Sequence, residues 1–447
     1  MEKNLTSGSV AKTLVLFSLP FLLSYFLQTL YGLADLFIIG QFCPTAATTA
    51  VSVGGQVMHM LTVMIVGLSM GSTVLIGRAV GSRDEALKNK AVGNTAVIFL
   101  VLSVVLTVLL TALVSAIIKL VAVPADAVAG TTDYLFVCFL GIPFVTAYNI
   151  ISSVFRGMGD SKSPMYFVAV ACVVNIVLDL AFIGVLGMGP MGAALGTTIA
   201  QGVSVIISLT YIVRKRVLPG FSRKFLAFDA KVASDIFKVG IPVAAQDGFI
   251  QVSFIVITIF ANMRGLNDSA AVGIVEKLIG ILFLVPSSLL AAVSAICSQN
   301  VGAGEHERAS KTLFYAIEIA AGIGILFAIV FQFCAGFAVG VFSGDTEVIR
   351  LGDQYMRSYV WDCIFAAIHF CFSGYFCAYS KAGLSFLHNV ISAFCVRIPL
   401  AYYFSKAFTE TLYPMGCAAP AGSLVSIVIC IIAYLYIKRK VIGKSND

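Results

Sequence analysis

Long apolar segments follow one another along almost the whole chain, separated by short polar or glycine-rich stretches. An α-helix needs about 20 mostly apolar residues to cross a lipid bilayer. The pattern therefore predicts an all-α polytopic membrane protein with twelve transmembrane helices. The twelve segments lie at residues 13–41, 46–76, 91–121, 129–155, 164–186, 190–213, 239–262, 269–298, 311–342, 353–379, 384–405 and 413–437.

The composition supports this interpretation, because 59% of the 447 residues are hydrophobic and only 11% are charged. Soluble domains are close to half apolar and a quarter charged. Eleven cysteines are scattered singly, and the four histidines show no metal-ligand spacing. These residues predict neither a disulfide framework nor a metal cluster, and no nucleophile–base pair is visible. We expect neither enzyme activity nor a cofactor, apart from a coupling ion.

The phosphate-binding pattern GxxxxGK[ST] does not occur in the sequence. The sequence therefore predicts no ATP-binding site of that kind. A transporter without such a site uses an ion gradient, or depends on a partner subunit.

Lysine and arginine are distributed unevenly along the chain. If the N-terminus is cytoplasmic, 22 of the 29 basic residues fall in inner loops or at inner helix ends, and only five fall outside. Cytoplasmic loops of membrane proteins carry such an excess. The bias predicts a multi-pass protein of the plasma or inner membrane with both termini cytoplasmic. It also accounts for the net charge of +7 without a nucleic-acid partner.

The two halves of the chain resemble each other. Pro20 corresponds to Pro242, and GPMGAALGTT at 189–198 corresponds to YPMGCAAPAG at 413–422. A repeat that contains six helices gives both halves the same topology, so we expect two six-helix lobes related by a pseudo-twofold axis along the membrane normal. The expected parts are an N-lobe at 1–213, a cytoplasmic linker at 214–238 and a C-lobe at 239–447.

Polar residues interrupt the apolar pattern of the first half. Asn175 and Asp179 lie four residues apart, and therefore on one helix face. A carboxylate in so apolar a segment costs several kcal/mol if it faces lipid, so it is usually turned inward. At a rise of about 1.5 Å per residue, Asp35, Asp179 and Thr197 lie at similar depths below the same membrane surface. We therefore predict one site that contains Asp35, Asn175, Asp179 and Thr197.

This predicted site suits a small cation. Two carboxylates close together in a low dielectric cannot both ionise cheaply, which favours a bound proton. The same oxygens also suit a hard monovalent cation, so H⁺ and Na⁺ both remain open. The second half has Ile257, Val396 and Leu400 at the corresponding positions, which favours a task specific to the N-lobe. The alternative is that Asn175 satisfies Asp179 and the pair only packs helices.

A second set of polar residues is predicted to line a substrate cavity. Gln28 and Tyr31 lie on the Asp35 face of the first helix, and Asp247 would attract a cationic ligand. The aromatic content suits flat organic cations. A packing role is an alternative for each of the candidates, which are Gln28, Tyr31, Asn149, Gln246, Asp247 and His369.

Taken together, several segments resemble the multidrug and toxin extrusion (MATE) transporters, and the resemblance covers essentially the whole chain. It rests on LFSLPFLLSYFLQTLYGLADLFIIG, GRAVGSRDEA, FRGMGDSKSPMY, NIVLDLAFIGVLGMGPMGAALGTTIAQ and QNVGAGEHERA. The resemblance implies a secondary antiporter that works by alternating access. Such a protein exports amphipathic, cationic organic compounds in exchange for H⁺ or Na⁺.

The resemblance also implies roles for individual residues. In that family, acids of the first and fifth helices carry the coupling ion, and these roles fall on Asp35 and Asp179. Pro20 would let the first helix bend when the site changes state. Some relatives use acids of the seventh and tenth helices instead, but Asp247 and Asp362 are displaced from those positions by about one turn.

Other transporter classes remain as alternatives. A lipid-linked oligosaccharide flippase of the same superfamily would show extra spans and a basic cavity, yet only Lys277 and Arg397 are cations within spans. An antiporter of the major facilitator fold would carry a DRxGRR-like loop after its second helix, where this sequence has GRAVGSRDEA instead. A channel would not need buried acids. We expect a monomer whose partners are small organic substrates and the lipid bilayer.

Overall fold

The computed structural model describes residues 4–439 of the chain, and all regular secondary structure within them is helical. Two π-helical turns occur at Leu180–Val185 and Ser392–Arg397, and two short 3-10 turns at Ala125–Ala127 and Arg223–Leu226. The α-helices are α1 Val10–Phe42, α2 Thr45–Gly81, α3 Glu85–Leu120, α4 Val128–Leu140, α5 Ile142–Gly157, α6 Lys162–Asp179, α7 Gly189–Arg214, α8 Ala230–Asn262, α9 Leu266–Leu282, α10 Leu284–Gly302, α11 His306–Gly340, α12 Thr346–Tyr359, α13 Asp362–Ala378, α14 Ala382–Ile391, α15 Ile398–Ala407, α16 Tyr413–Gly416 and α17 Ala418–Ile437.

The helices reproduce the predicted membrane spans. Ten helical segments of the described chain are long and apolar enough to cross a membrane. Two further segments are bent helix pairs, α4 with α5 at 48° and α12 with α13 at 43°. Counting each bent pair as one span gives up to twelve, which agrees with the predicted number.

The first bend occurs at Gly141, between α4 and α5, and Pro143 follows two residues later. Proline lacks the N–H that would continue a helix, and its ring clashes with the preceding turn. A Cβ at position 141 would also lie 2.6 Å from Oγ1 of Thr198. The glycine therefore permits a close approach of this bend to α7.

Two compact units make up the chain, and their boundaries fall inside helices. Unit 1 is essentially Leu23–Gly240, and unit 2 combines Leu5–Leu22 with the chain from Ile241 onward. The boundaries lie next to Pro20 in α1 and Pro242 in α8, two prolines inside helices of 33 residues. The N-lobe predicted from the sequence, in contrast, contained all of α1.

A set of hydrogen bonds explains why the start of the chain belongs to unit 2. The Arg308 guanidinium donates to the carbonyl oxygens of Leu5 (3.4 Å), Ser7 (2.9 Å) and Gly8 (2.7 Å). The Leu5 N–H donates to Oε1 of Gln299 at 3.1 Å. These bonds hold the segment before α1 against the end of α10 and the start of α11. Residues 1–3 and 440–447, where part of the predicted topology signal lies, are outside the described residues.

The expected linker at 214–238 belongs to unit 1, and its last residues form the start of α8. Asn94 of α3 donates to the Ala227 carbonyl oxygen at 3.2 Å and accepts from the Asp229 N–H at 2.7 Å. A Cβ at Gly93 would overlap the carbonyl oxygen of Phe225, so only glycine allows this approach. The linker is therefore packed closely on α3.

Candidate ion site and cavity residues

Four polar side chains meet inside unit 1, contributed by α1, α6 and α7. Thr197 Oγ1 donates a hydrogen bond of 3.3 Å to Oδ2 of Asp35. Nδ2 of Asn175 lies 3.5 Å from both Thr197 Oγ1 and Asp179 Oδ1. The carboxyl groups of Asp35 and Asp179 lie within hydrogen-bonding reach of each other. The structure thus brings together all four residues of the predicted ion site.

Three of the four side chains of this cluster are removed from solvent, and Thr197 is partly buried. Asp35 is 5% exposed, Asn175 is 1% exposed and Asp179 is 0% exposed. Asp179 ends α6, and the π-helical turn Leu180–Val185 follows it directly. Such turns occur mostly as single insertions in α-helices and are frequent at functional sites. The sequence pattern contained no signal for this turn.

Several oxygens of the cluster have no hydrogen-bond partner. They are Oδ1 of Asp35, Oδ1 of Asn175 and Oδ2 of Asp179. A buried polar atom without a partner costs free energy, and an unpaired buried charge costs more. A proton or a cation with oxygen ligands would satisfy these atoms, so the donor set fits either coupling ion. The part of the chain that the structure describes contains no cluster of three or more His, Cys, Asp or Glu that could hold a metal ion.

Gly196 of α7 makes room for the Asp179 carboxylate. A Cβ at this position would clash with Oδ1 of Asp179. Glycine in a helix interior costs about 0.5–1 kcal/mol relative to alanine. The sequence analysis missed this residue, although a glycine directly before Thr197 in a helical segment was the available signal.

The cavity candidates of unit 1 lie on two helices. Gln28 and Tyr31 of α1 are partly buried, and the Tyr31 hydroxyl lies close to the side chain of Gln201. Gln201 lies one turn after Thr197 on α7, and its buried Oε1 has no partner. Asn149 uses its amide to donate to the Val145 carbonyl of its own helix at 2.8 Å. Sequence reasoning missed Gln201, which the i, i+4 spacing from Thr197 could have indicated.

The other three cavity candidates belong to unit 2. Ser385 donates to Oε1 of Gln246 at 2.6 Å, and Asp247 is partly buried. Nε2 of His369 lies 3.3 Å from Oγ of Ser423, while its buried Nδ1 has no partner. Among the described residues, His369 makes no hydrogen bond to Gln246 or Asp247. Hydrogen bonds between described residues therefore do not join these three candidates into one cluster.

Unit 2 also contains charged groups at membrane depth. Arg397 ends the π-helical turn Ser392–Arg397, donates to the Tyr359 hydroxyl and lies 4.5 Å from the Phe254 ring centroid. Oε2 of Glu276 accepts a hydrogen bond from Thr258 at 3.3 Å. Unit 2 therefore has polar groups of its own, at positions that do not correspond to Asp35, Asn175 or Asp179.

A helical chain of up to twelve spans, with acids and amides buried inside a unit, defines a polytopic membrane transporter. A family model described as MatE matches residues 20–181 and 242–403, which together make up more than half of the chain. The chain belongs to the multidrug and toxin extrusion (MATE) family. The two matched segments confirm the internal repeat and start at Pro20 and Pro242.

Two curated relatives illustrate the similarity. The chain is 26% identical over 400 residues to the probable multidrug resistance protein YpnP of Bacillus subtilis, covering 90% of this chain and 89% of that protein. It is 23% identical over 440 residues to the multidrug export protein MepA of Staphylococcus saprophyticus, covering 98% of this chain and 97% of that protein.

A solved structure shows the same fold. The crystal structure of MATE in complex with MaD3S superimposes with a TM-score of 0.90 at 21% sequence identity. The superposition covers 97% of this chain and 98% of the other chain. The predicted all-α transporter fold is therefore confirmed.

Proposed function

We propose that this protein is a secondary active multidrug efflux antiporter that exports amphipathic, cationic organic compounds in exchange for H⁺ or Na⁺. The observation that carries the proposal is the set of buried, partnerless oxygens on Asp35, Asn175 and Asp179. The names of the relatives, multidrug resistance protein and multidrug export protein, support efflux as the direction of transport.

The proposed cycle begins when the coupling ion enters the cluster. A proton shared by Asp35 and Asp179, or a Na⁺ held by their oxygens with those of Asn175 and Thr197, would neutralise part of the buried charge. Exchange of one such ion for one monovalent organic cation moves no net charge. A gradient of the coupling ion would then drive export with roughly 1.4 kcal/mol per tenfold difference in concentration.

Substrate recognition is assigned to the cavity candidates. Asp247 is partly buried in unit 2, where a carboxylate would attract a cation. Tyr31 and Gln28 lie one and two turns from Asp35 on the same face of α1. A change at the ion site would therefore reach these side chains through a single helix. Pro20 is proposed as the point at which that helix bends.

We further place the protein in the plasma or inner membrane, as a monomer with both termini in the cytoplasm. The supporting observation is the excess of lysine and arginine in the loops on one side of the predicted spans. The lipid bilayer and small organic cations are the partners in this proposal, and nucleic acid has no role.

The test is efflux of a fluorescent organic cation from vesicles that contain the purified protein. A pH gradient and a Na⁺ gradient are imposed separately, with the membrane potential clamped. Export driven by one of the two gradients identifies the coupling ion. Export that is as fast without any ion gradient as with one would contradict the antiport mechanism. Export only of lipid-linked sugars would favour the flippase.

A further inference from the structure

A basic and apolar surface lies between α7 and α8. Residues Arg214 to Phe228 form a segment that connects these helices, and we call it the α7–α8 segment. Its exposed side chains include five cations, and Leu226 and Phe228 remain 41% and 64% exposed beside them. The five cations are Arg214, Lys215, Arg216, Arg223 and Lys224.

The α7–α8 segment is fixed to the rest of unit 1. Besides the two bonds of Asn94, Nδ2 of Asn89 donates to the Pro219 carbonyl oxygen at 3.4 Å. Lys90 forms an ion pair with Asp229, directly after the segment. The segment therefore differs from a flexible polybasic tail, because α3 holds its backbone in one place.

A cavity of about 620 Å³ lies between the start of α3 and the α7–α8 segment. This volume falls within the range of sites for small ligands, roughly 300–1,000 Å³. Both apolar and charged side chains line the cavity, among them Leu87, Lys90, Lys224, Phe225, Phe228 and Asp229.

Two acids and two lysines line the cavity, and each acid has a partner of its own. Asp229 is paired with Lys90, and the carboxylate of Asp84 caps α3 by accepting from the Leu87 N–H at 2.9 Å. Lys224 lies 5.1 Å from the Phe225 ring centroid and pairs with no carboxylate in the described part of the chain. One ammonium group at the cavity, with Arg223 next to it in the sequence, is therefore available to an anion.

We propose that this cavity binds the headgroup of an anionic phospholipid. Lys224 and Arg223 would contact the phosphate, and Leu226 and Phe228 would contact the acyl chains. The cavity lies beside the start of α3 and directly before the start of α8, and both helices are long and apolar enough to cross a membrane. Basic clusters directly beside membrane spans attract anionic lipids. A soluble phosphate compound would leave the exposed apolar side chains uncovered.

This inference does not depend on the proposed antiport, because its test measures lipid binding. The full-length protein, purified in detergent, is titrated with phosphatidylglycerol and with phosphatidylcholine, and bound lipid is counted by native mass spectrometry. We expect saturable binding of phosphatidylglycerol and a dissociation constant about fivefold higher in Lys224→Gln. Arg223→Gln combined with Lys224→Gln is expected to raise it by about 25-fold.

The matched control is Lys162→Gln, which removes the same charge from an exposed position of unit 1 that does not line the cavity. It should bind phosphatidylglycerol like the unmodified protein. Phe228→Ser tests the apolar contact at unchanged charge, and we expect weaker binding of the lipid. Thermal unfolding in detergent verifies that each variant is folded.

Three results would overturn the proposal. The first is an equal loss of binding in Lys162→Gln and Lys224→Gln, which would indicate a diffuse charge effect. The second is unchanged binding in the folded Arg223→Gln/Lys224→Gln variant. The third is binding of glycerol 3-phosphate as tight as that of the lipid, since the site would then recognise phosphate alone.

Discussion

Thr197 donates a hydrogen bond of 3.3 Å to Asp35, although the two residues lie 162 positions apart in the chain. The same hydroxyl lies 3.5 Å from the amide of Asn175, which also reaches Asp179. One side chain of α7 thus connects the acid of α1 to the polar face of α6. A change in the charge of either acid would therefore alter the hydrogen bonds that connect all three helices.

This arrangement predicts that the two acids act as one unit. We expect Asp35→Asn and Asp179→Asn each to abolish ion-driven efflux, because each removes a charge that binds the coupling ion. Thermal stability should stay equal or rise, since a neutral amide is cheaper to bury than a carboxylate. Efflux from vesicles and thermal unfolding in detergent measure the two effects on the same samples.

The double variant adds a sharper control. Residues that act together have non-additive effects, so Asp35→Asn/Asp179→Asn should be no worse than either single variant. Arg397→Ala in unit 2 should at most lower the rate of efflux, and efflux should still depend on the ion gradient. Ion-coupled efflux that survives in Asp179→Asn would contradict the shared site and move the search to Asp247, Glu276 and Asp362.

The sequence was sufficient to predict the fold and the members of the polar cluster. Hydrophobic length determines the spans, and helical rise gives the depth of a polar residue within a span. Depth and the i, i+4 rule together brought Asp35, Asn175, Asp179 and Thr197 into one layer. These are local regularities, so they can be read without knowing which helices touch.

Features that depend on the close approach of two helices could not be predicted. Whether Gly196 faces a carboxylate or lipid depends on how α7 packs on α6. The bonds from Arg308 to the carbonyl groups before α1 join residues about 300 positions apart in the sequence, and no local pattern indicates them. The same holds for Asn149, because an amide in a helix can bond to its own backbone as well as to a ligand.

Asp247 provides a test of substrate charge. We expect Asp247→Asn to weaken export of cationic substrates by about tenfold, which corresponds to ~1.4 kcal/mol of lost attraction. Export of neutral substrates should be unchanged. Competition assays with a cationic and a neutral fluorescent compound measure both, and Asp133→Asn, at an exposed position, is the control. Equal loss for the two compounds would remove Asp247 from the cavity.

The membrane topology can be tested at the α7–α8 segment. Ser222 is exposed, and we expect a cysteine there to face the cytoplasm. In a background without the exposed Cys334 and Cys395, a membrane-impermeant maleimide should label Ser222→Cys only after the cells are permeabilised. Labelling of intact cells would place the segment outside and reverse the proposed orientation.

The attachment of the same segment should depend on pH. The hydrogen bond from Lys90, together with the Val232 N–H, holds the pKa of the Asp229 carboxyl below its ordinary value. A group with a lowered pKa stabilises the folded state above its ordinary pKa, about 4 for Asp, and loses this contribution as the pH falls through the lowered value.

A spin label at Ser222→Cys would report this change. We expect low mobility from pH 7 to pH 5 and rising mobility only below about pH 4. Lys90→Gln removes the ion pair at every pH, so the label should already be more mobile at pH 7, and its mobility should change less as the pH falls. An onset that is the same with and without Lys90 would show that the ion pair does not hold the segment.

Gly196 and Gly202 of α7 offer a matched pair of substitutions for testing the geometry of the ion site. A methyl group at 196 would clash with Oδ1 of Asp179, whereas at 202 the nearest atom is Cδ1 of Phe144 at 3.7 Å, an ordinary contact. Both positions are buried in the same helix, and alanine improves helix propensity at both by about 0.5–1 kcal/mol.

The two variants should therefore separate function from folding. In Gly196→Ala the carboxylate has to move, which breaks its contact with Asn175 and should lower ion-driven efflux by at least about tenfold. Overpacking of this size costs about 1–3 kcal/mol, so unfolding should shift by only a few degrees, partly offset by the helix gain. Gly202→Ala should keep full efflux and unfold at an equal or higher temperature. If Gly196→Ala also keeps full ion-coupled efflux, the position of the Asp179 carboxylate does not control coupling, and the ion site must be sought elsewhere.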